Sequence, residues 1–179
     1  MEIKNKIPEH IEVIDVSSWS KGKWLAYRLT GLGCSEIGTA LGYNDYETSG
    51  ELFYRKVGIT DQSNKDNLPM FFGRVLEDHI RSLWKAYDWD NPSEQNTLEN
   101  IANNIVLRDC YSSKAYYRNP KYPWLFGGPD GLFLHNNELS VLEIKTIGSW
   151  AADKYDGLIP PSYIYQIHAY MLLFECDYW

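Results

Sequence analysis

Asp130, Glu143 and Lys145 are the residues whose types and spacing point most directly to chemistry. Asp130 lies in Gly127-Gly128-Pro129-Asp130-Gly131, and the other two lie in Leu142-Glu143-Ile144-Lys145. Between them, His135-Asn136-Asn137 is a turn signal flanked by segments that alternate in polarity, so the pattern predicts a β-hairpin over Leu125–Leu134 and Glu138–Thr146. Side chains two apart on a strand share a face. Glu143 and Lys145 are then expected to point the same way, Ile144 into a core, and antiparallel pairing brings Asp130 beside them. Two carboxylates and one ammonium at a sheet edge make a hard-cation site with a proton-handling group attached, which suits phosphodiester hydrolysis with Mg²⁺, or Mn²⁺ in its place. A surface hairpin with a cross-strand Glu–Lys pair is the competing reading of Glu143-x-Lys145 taken alone.

Further residues can join that site. Glu77 falls on the apolar stripe expected for Leu76, Ile80, Leu83 and Trp84 in a helix from Pro69 or Met70 to about Tyr87. A carboxylate on such a stripe needs a partner or a metal; pairing to Arg81, four residues on, is the alternative. Gln166 and Tyr170 share a face of a last helix that opens at Pro160-Pro161 and runs to about Glu175. Arg28 and Ser35 flank a Gly-rich turn, where an Arg fork and helix-terminal amides can hold an anion; a plain cap and a surface Arg explain them equally well. Lys114–Trp124 interleaves Lys114, Arg118 and Lys121 with aromatic residues. It reads either as a nucleic-acid surface or as a charge-protected edge strand.

The elements that must position these groups read as mixed α/β, or α+β. An edge strand is expected at Ile11–Val16, and helices at Ser18–Arg28, Ser35–Leu41 and Thr48–Lys56, the last opened by a Thr48/Glu51 capping box. Residues 60–69 and 88–100 read as polar loops, and Ile101–Tyr117 as one or two strands. The 179 residues suit one domain, 1–179, and the pattern of a further strand begins at Asp177-Tyr178-Trp179, as in a piece of a longer protein. A 44% hydrophobic content without a long apolar run predicts no membrane span. Cys34, Cys110 and Cys176 give neither a disulfide framework nor the four thiolates of an iron–sulfur cluster, and a reducing cytoplasm, bacterial or phage-infected, is the expected location. A net charge of −7 counts against nucleic acid, although carboxylates gathered around a metal offset part of it.

Taken in order, Arg28-x₂-Gly-x-Gly-x-Ser35, Gly73-x₃-Glu77, Pro120-x₂-Pro-Trp124, Pro129-Asp130-Gly131, Glu143-x-Lys145 and Gln166-x₃-Tyr170 resemble the YqaJ-type viral recombinases, the family of phage lambda exonuclease within the PD-(D/E)XK nucleases. The resemblance spans about Trp24 to Met171. It implies a restriction-endonuclease-like core, a central mixed β-sheet flanked by helices. It further implies that Asp130, Glu143 and the Ile144 carbonyl ligate Mg²⁺, with Glu77 acting directly or through water. Lys145 and Gln166 would position the attacking water, and Arg28 and Ser35 would hold a 5′-terminal phosphate. Tyr170, Lys114, Arg118, Lys121 and Lys154 are the further candidate DNA contacts. Such enzymes degrade one strand of duplex DNA from a 5′ end, work beside a single-strand annealing protein and include ring-shaped trimers. Here Gly128 stands where some relatives carry a hydroxyl, and Lys154 is the nearest base after the Glu-x-Lys strand. An endonuclease on the same core and a catalytically silent DNA-end-binding module are the alternatives.

Overall fold

The computed structural model describes residues 3–61 and 68–179. Residues 62–67, most of the expected 60–69 loop, lie outside the described residues. Four strands form a mixed sheet in the order β1 (Glu12–Asp15), β3 (Ala115–Arg118), β4 (Leu125–Gly127), β2 (Leu32–Gly33). The first three are antiparallel neighbours, and β2 runs parallel to β4. The expected edge strand is β1. By contrast β3, which carries Arg118, is an interior strand, and 103–114 holds only an isolated bridge from Tyr111 to Leu132.

The expected hairpin forms as β5 (Gly131–His135) and β6 (Glu138–Leu142), but it is shorter than its pattern suggested. Pro129 has no N–H to give a ladder, so the chain leaves β4 at Gly127 and starts afresh at Gly131. Asn136 and Asn137 turn it, both at positive φ (50° and 65°), as a two-residue turn between right-twisted strands requires. Tyr178 adds a parallel bridge to Ser140 of β6.

The helices flank these strands. Ser20 caps α1 (Lys21–Arg28), and a 3₁₀ turn at Cys34–Glu36 leads into α2 (Ile37–Ala40), closed by Gly42 at φ 81°. The Thr48/Glu51 capping box opens α3 (Ser49–Lys56). Long α4 (Leu68–Ala86) matches the expected span, yet its apolar stripe is not sealed. Leu76 is 39% and Leu83 43% exposed, and Trp84 lies edge-on to Phe133 with centroids 4.9 Å apart. The expected 88–100 loop contains a helix, α5 (Glu94–Ala102), capped by Ser93. Its apolar residues are too few to announce it: Leu98 is exposed, and Thr97 is the one buried residue of the helix. A further short helix, α6 (Ser149–Lys154), was also not expected.

Pro161 opens α7 (Pro161–Phe174) as expected, and Glu175 ends it in the left-handed conformation. This helix packs against α2, β4 and β6. The core gathers where it crosses them, at Cys34, Tyr117, Leu125, Leu132, Val141, Tyr170, Leu173 and Phe174. Gly127 makes the crossing possible: a Cβ there would stand 2.6 Å from the Tyr170 ring and 2.7 Å from the Cys34 sulfur. No described helix is long and apolar enough to cross a membrane.

Candidate active site

The break between the sheets and the end of β6 bring Asp130 and Glu143 together, one step beyond the Gly131–Leu142 pair. Asp130 Oδ2 accepts the Ile144 main-chain N–H at 2.6 Å, a link that stands in for the next ladder bond. Ile144 itself is half-buried and outside the core cluster, because the strand has ended before it. Glu143 is buried, with 6% of its side chain exposed. Its Oε1 accepts from Lys145 Nζ at 2.6 Å and from Gln166 Nε2 at 2.5 Å. Its Oε2 is buried without a hydrogen-bond partner.

This is an expensive arrangement. Burial, then the Glu143 charge, pushes the Asp130 carboxyl far above the ordinary carboxylate range. Burial pushes Glu143 up as well, against the pull of Lys145. An orphaned anionic oxygen beside a second carboxylate is the donor set a hard divalent cation satisfies, so the residues fit Mg²⁺ or Mn²⁺. Among the described residues no group of three or more His, Cys, Asp or Glu side chains is placed to hold a metal ion, so the donor set here is the two carboxylates.

Glu77 approaches from α4, and its charge is felt at Asp130. Its Oε1 is taken by Arg81 Nη2, the alternative foreseen from the i,i+4 spacing. Arg81 does more than that spacing shows: Nη1 reaches Asp78 Oδ1 at 2.5 Å, and Nε donates to the Asp130 carbonyl at 3.1 Å. Gly73, on the same side one turn earlier, stands close to Thr146, with Cβ–Oγ1 of 3.3 Å if a Cβ were present.

Arg28 and Ser35 flank a different centre. Glu36, 4% exposed in its side chain, receives Arg28 Nη2 at 2.5 Å, Arg55 Nη1 at 3.0 Å, Lys56 Nζ at 2.5 Å and the Gly33 N–H at 2.8 Å. Glu47 takes Arg55 in a two-pronged pair, both contacts 2.8 Å. The Gly33 amide, just before the Ser35 turn, is therefore already used by the chain's own carboxylate. Ser35 is exposed, and the Arg28 guanidinium lies over Trp24. Sequence reading missed Glu36, Arg55 and Lys56; Gly33-x-x-Glu36 spacing was the available local signal.

The other candidate contacts sit as follows. Tyr170 is no surface group: it is 3% exposed and part of the core, and its hydroxyl donates to the Gly128 carbonyl at 3.1 Å. Arg118 bonds Thr30 Oγ1 at 2.9 Å and lies over Tyr27 and Phe126. Lys121 pairs with Glu175 at 2.6 Å, and Lys154 with Asp45 at 2.5 Å. Lys114 is exposed, its carbonyl bonded to Val16.

Comparison with known proteins adds four findings. Residues 23–177 match the YqaJ-like viral recombinase domain family. The uncharacterized protein YqaJ of Bacillus subtilis strain 168 is 27% identical over 163 residues, which are 90% of this chain and 45% of that protein, so the chain spans under half of that relative's length. Among solved structures, LHK-Exo in complex with dAMP superposes with a TM-score of 0.57 at 19% identity, over 88% of this chain and 70% of the other. A second structure of LHK-Exo, an alkaline exonuclease from Laribacter hongkongensis, gives a TM-score of 0.53 at 20% identity, over 86% and 68%. At these identities the likeness shows the fold alone, a mixed sheet flanked by helices.

Proposed function

The chain belongs to the YqaJ-like viral recombinase domain family, and from that premise we propose that it is a Mg²⁺-dependent DNA exonuclease that hydrolyses one strand of a duplex from its 5′ end. The observation that supports this reading most is the Asp130–Glu143 pair, Asp130 half-buried and the Glu143 side chain nearly shut off from water, with an unpartnered carboxylate oxygen and an ammonium 2.6 Å from the partnered one. Structural scaffolding alone would not keep two neighbouring carboxylates buried and so poorly compensated.

Asp130, Glu143 and the Ile144 carbonyl are the groups proposed to hold Mg²⁺, with Glu77 reaching it through water. The bound ion would polarise the scissile phosphate and acidify a water. Lys145, fixed by Glu143, orients that water and neutralises charge developing on the phosphate oxygens. Gln166 bonds the same Glu143 oxygen as Lys145, which leaves the other oxygen for the metal. Arg28 and the exposed Ser35 hydroxyl are the proposed 5′-phosphate contacts, Arg28 by exchanging a present partner for the phosphate. Lys114, Arg118, Lys121 and Lys154 are proposed to add phosphate contacts by exchanging present partners for DNA. Duplex ends, a single-strand annealing protein and a trimeric ring complete the proposal by family resemblance.

The test is digestion of linear and closed-circular duplex, 5′-phosphorylated or 5′-hydroxyl, with Mg²⁺ and with chelator. Linear 5′-phosphorylated DNA should be degraded, only with Mg²⁺, and Arg28→Ala should remove the phosphate preference. Circles cut as fast as linear DNA would replace the exonuclease with an endonuclease on the same core. Binding without cleavage under any metal would leave an end-binding module.

A further inference from the structure

Arg81 belongs to none of the motifs above, yet it is the side chain that ties α4 to the Asp130 turn. Only 12% of it is exposed. Its three nitrogens go three ways: Nη2 to Glu77, Nη1 to Asp78 at 2.5 Å, and Nε to the Asp130 main-chain carbonyl at 3.1 Å. A surface i,i+4 pair would need only the first of these. The bond to Asp130 spans 49 positions of sequence and ends on the residue whose carboxylate is proposed to hold the metal.

The helix needs such a tie. With Leu76 and Leu83 substantially exposed, apolar burial does not fix the rotation of α4 about its own axis. Trp84 holds it near its C-terminal end, against Phe133. Glu77 lies almost two turns before Trp84, where a small rotation would swing its carboxylate away from Asp130. Arg81 lies between the two. It grips one oxygen of Glu77 and anchors the helix to the turn that leads into β5.

We propose that Arg81 is a positioning residue for the metal site: its fork sets Glu77 and the Asp130 main chain in a fixed relation, so that Glu77 stays on the side of α4 that faces the Asp130 turn. The inference rests on the nuclease reading above. It requires geometry and not merely positive charge, because a lysine ammonium radiates its donors from one point and cannot span three partners set around a planar fork.

The test compares wild type, Arg81→Ala and Arg81→Lys by steady-state cleavage of linear duplex and by calorimetric binding of Mn²⁺ without DNA. Loss of a residue that orients metal ligands typically costs about 10- to 100-fold in activity or metal affinity. Arg81→Ala should lower kcat by that factor, weaken Mn²⁺ binding about tenfold, and leave KM for DNA within about threefold. Arg81→Lys should resemble Ala and not wild type. Wild-type kcat and Mn²⁺ affinity in Arg81→Ala would overturn the proposal, as would full rescue by Lys, which would leave charge as the whole effect. If Arg81→Ala does not fold, the Lys variant decides on the same two readouts. A wild-type protein that neither binds Mn²⁺ nor cuts DNA overturns the nuclease reading, and this inference with it. An active wild type with unaffected variants overturns this inference alone.

Discussion

Glu36 and Glu143 are the same side chain, with 4% and 6% of it exposed. Around Glu36 stand Arg28, Arg55, Lys56 and the Gly33 N–H, and both carboxylate oxygens are taken. Burial raises its carboxyl, but the Arg28 charge and the bonds from Lys56, Arg28 and Gly33 outweigh that and bring it down to about 2. Around Glu143 stand one ammonium, one amide and a second carboxylate; one oxygen has no partner, and its carboxyl is raised. Burial is the same, so it is the company that sets the sign. A fully compensated carboxylate reads as architecture, joining the Gly33 turn to α1 and α3. An under-compensated one reads as a site kept ready for something positive.

The contrast breaks most visibly if the acid pair proves to be architecture. Asp130→Asn or Glu143→Gln should lower cleavage on the order of 10³-fold or more, since a metal's charge stabilisation is worth several kcal/mol. Either change should leave the melting temperature unchanged or higher, because it removes repulsion between buried carboxylates. Full activity in either variant, or a large drop in melting temperature, would put Glu143 in the same class as Glu36. Lys145→Ala comes next: kcat should fall by ~10² to 10⁴ with little change in DNA binding. A loss confined to binding would make Lys145 a phosphate clamp.

At the other centre, Glu36→Gln should destabilise the fold by about 3–5 kcal/mol, the usual cost of breaking a buried pair from one side. Chemical denaturation at neutral pH measures it. The pH dependence has a definite sign. With a folded-state carboxyl near 2 and an ordinary unfolded one near 4.5, Glu36 contributes its stability above about pH 4.5 and loses it as pH falls toward 2. Glu36→Gln should therefore flatten the acid limb of the stability curve in that window; an unchanged limb would remove Glu36 as its source. The smallest expected effect lies in the basic–aromatic stretch. Arg118 and Lys121 already have partners, so their double Ala variant should reduce the salt slope of DNA binding by less than about one. A reduction near two would mean that both exchange those partners for phosphates.

What the sequence disclosed follows sequence distance. Asp130, Glu143 and Lys145 were legible together because one short hairpin places them, and its turn residues and alternation lie within a single stretch of chain. The Thr48 box, the Pro161 helix start and the β1 edge were legible for the same local reason. The Glu36 centre was not: its cations come from α1 and α3, and nothing in either helix alone points to a carboxylate between them. Arg118 lies in a segment read as a surface or an edge, and only the pairing of β1 with β3 makes its strand interior. Tyr170 shares a helix face with Gln166, but that face is sealed at Tyr170 by the missing side chain of Gly127. Helix α5 was hidden because it buries so little.

The Asn136–Asn137 turn works as a ruler for the chemistry at the opposite end of its hairpin. With both residues held at positive φ and His135 paired to Glu138, every rung below is counted off until Asp130 and Glu143 face each other. Because a strand alternates its faces, one residue added within β6 would carry Glu143 to the wrong side and leave Asp130 facing Leu142 in its place. Each short motif would survive such an insertion untouched. The separation of the two acids can thus drift between relatives in steps of two or by reshaping the turn, and a single-residue change in β6 is the kind of lesion that silences the site without altering any of its residues.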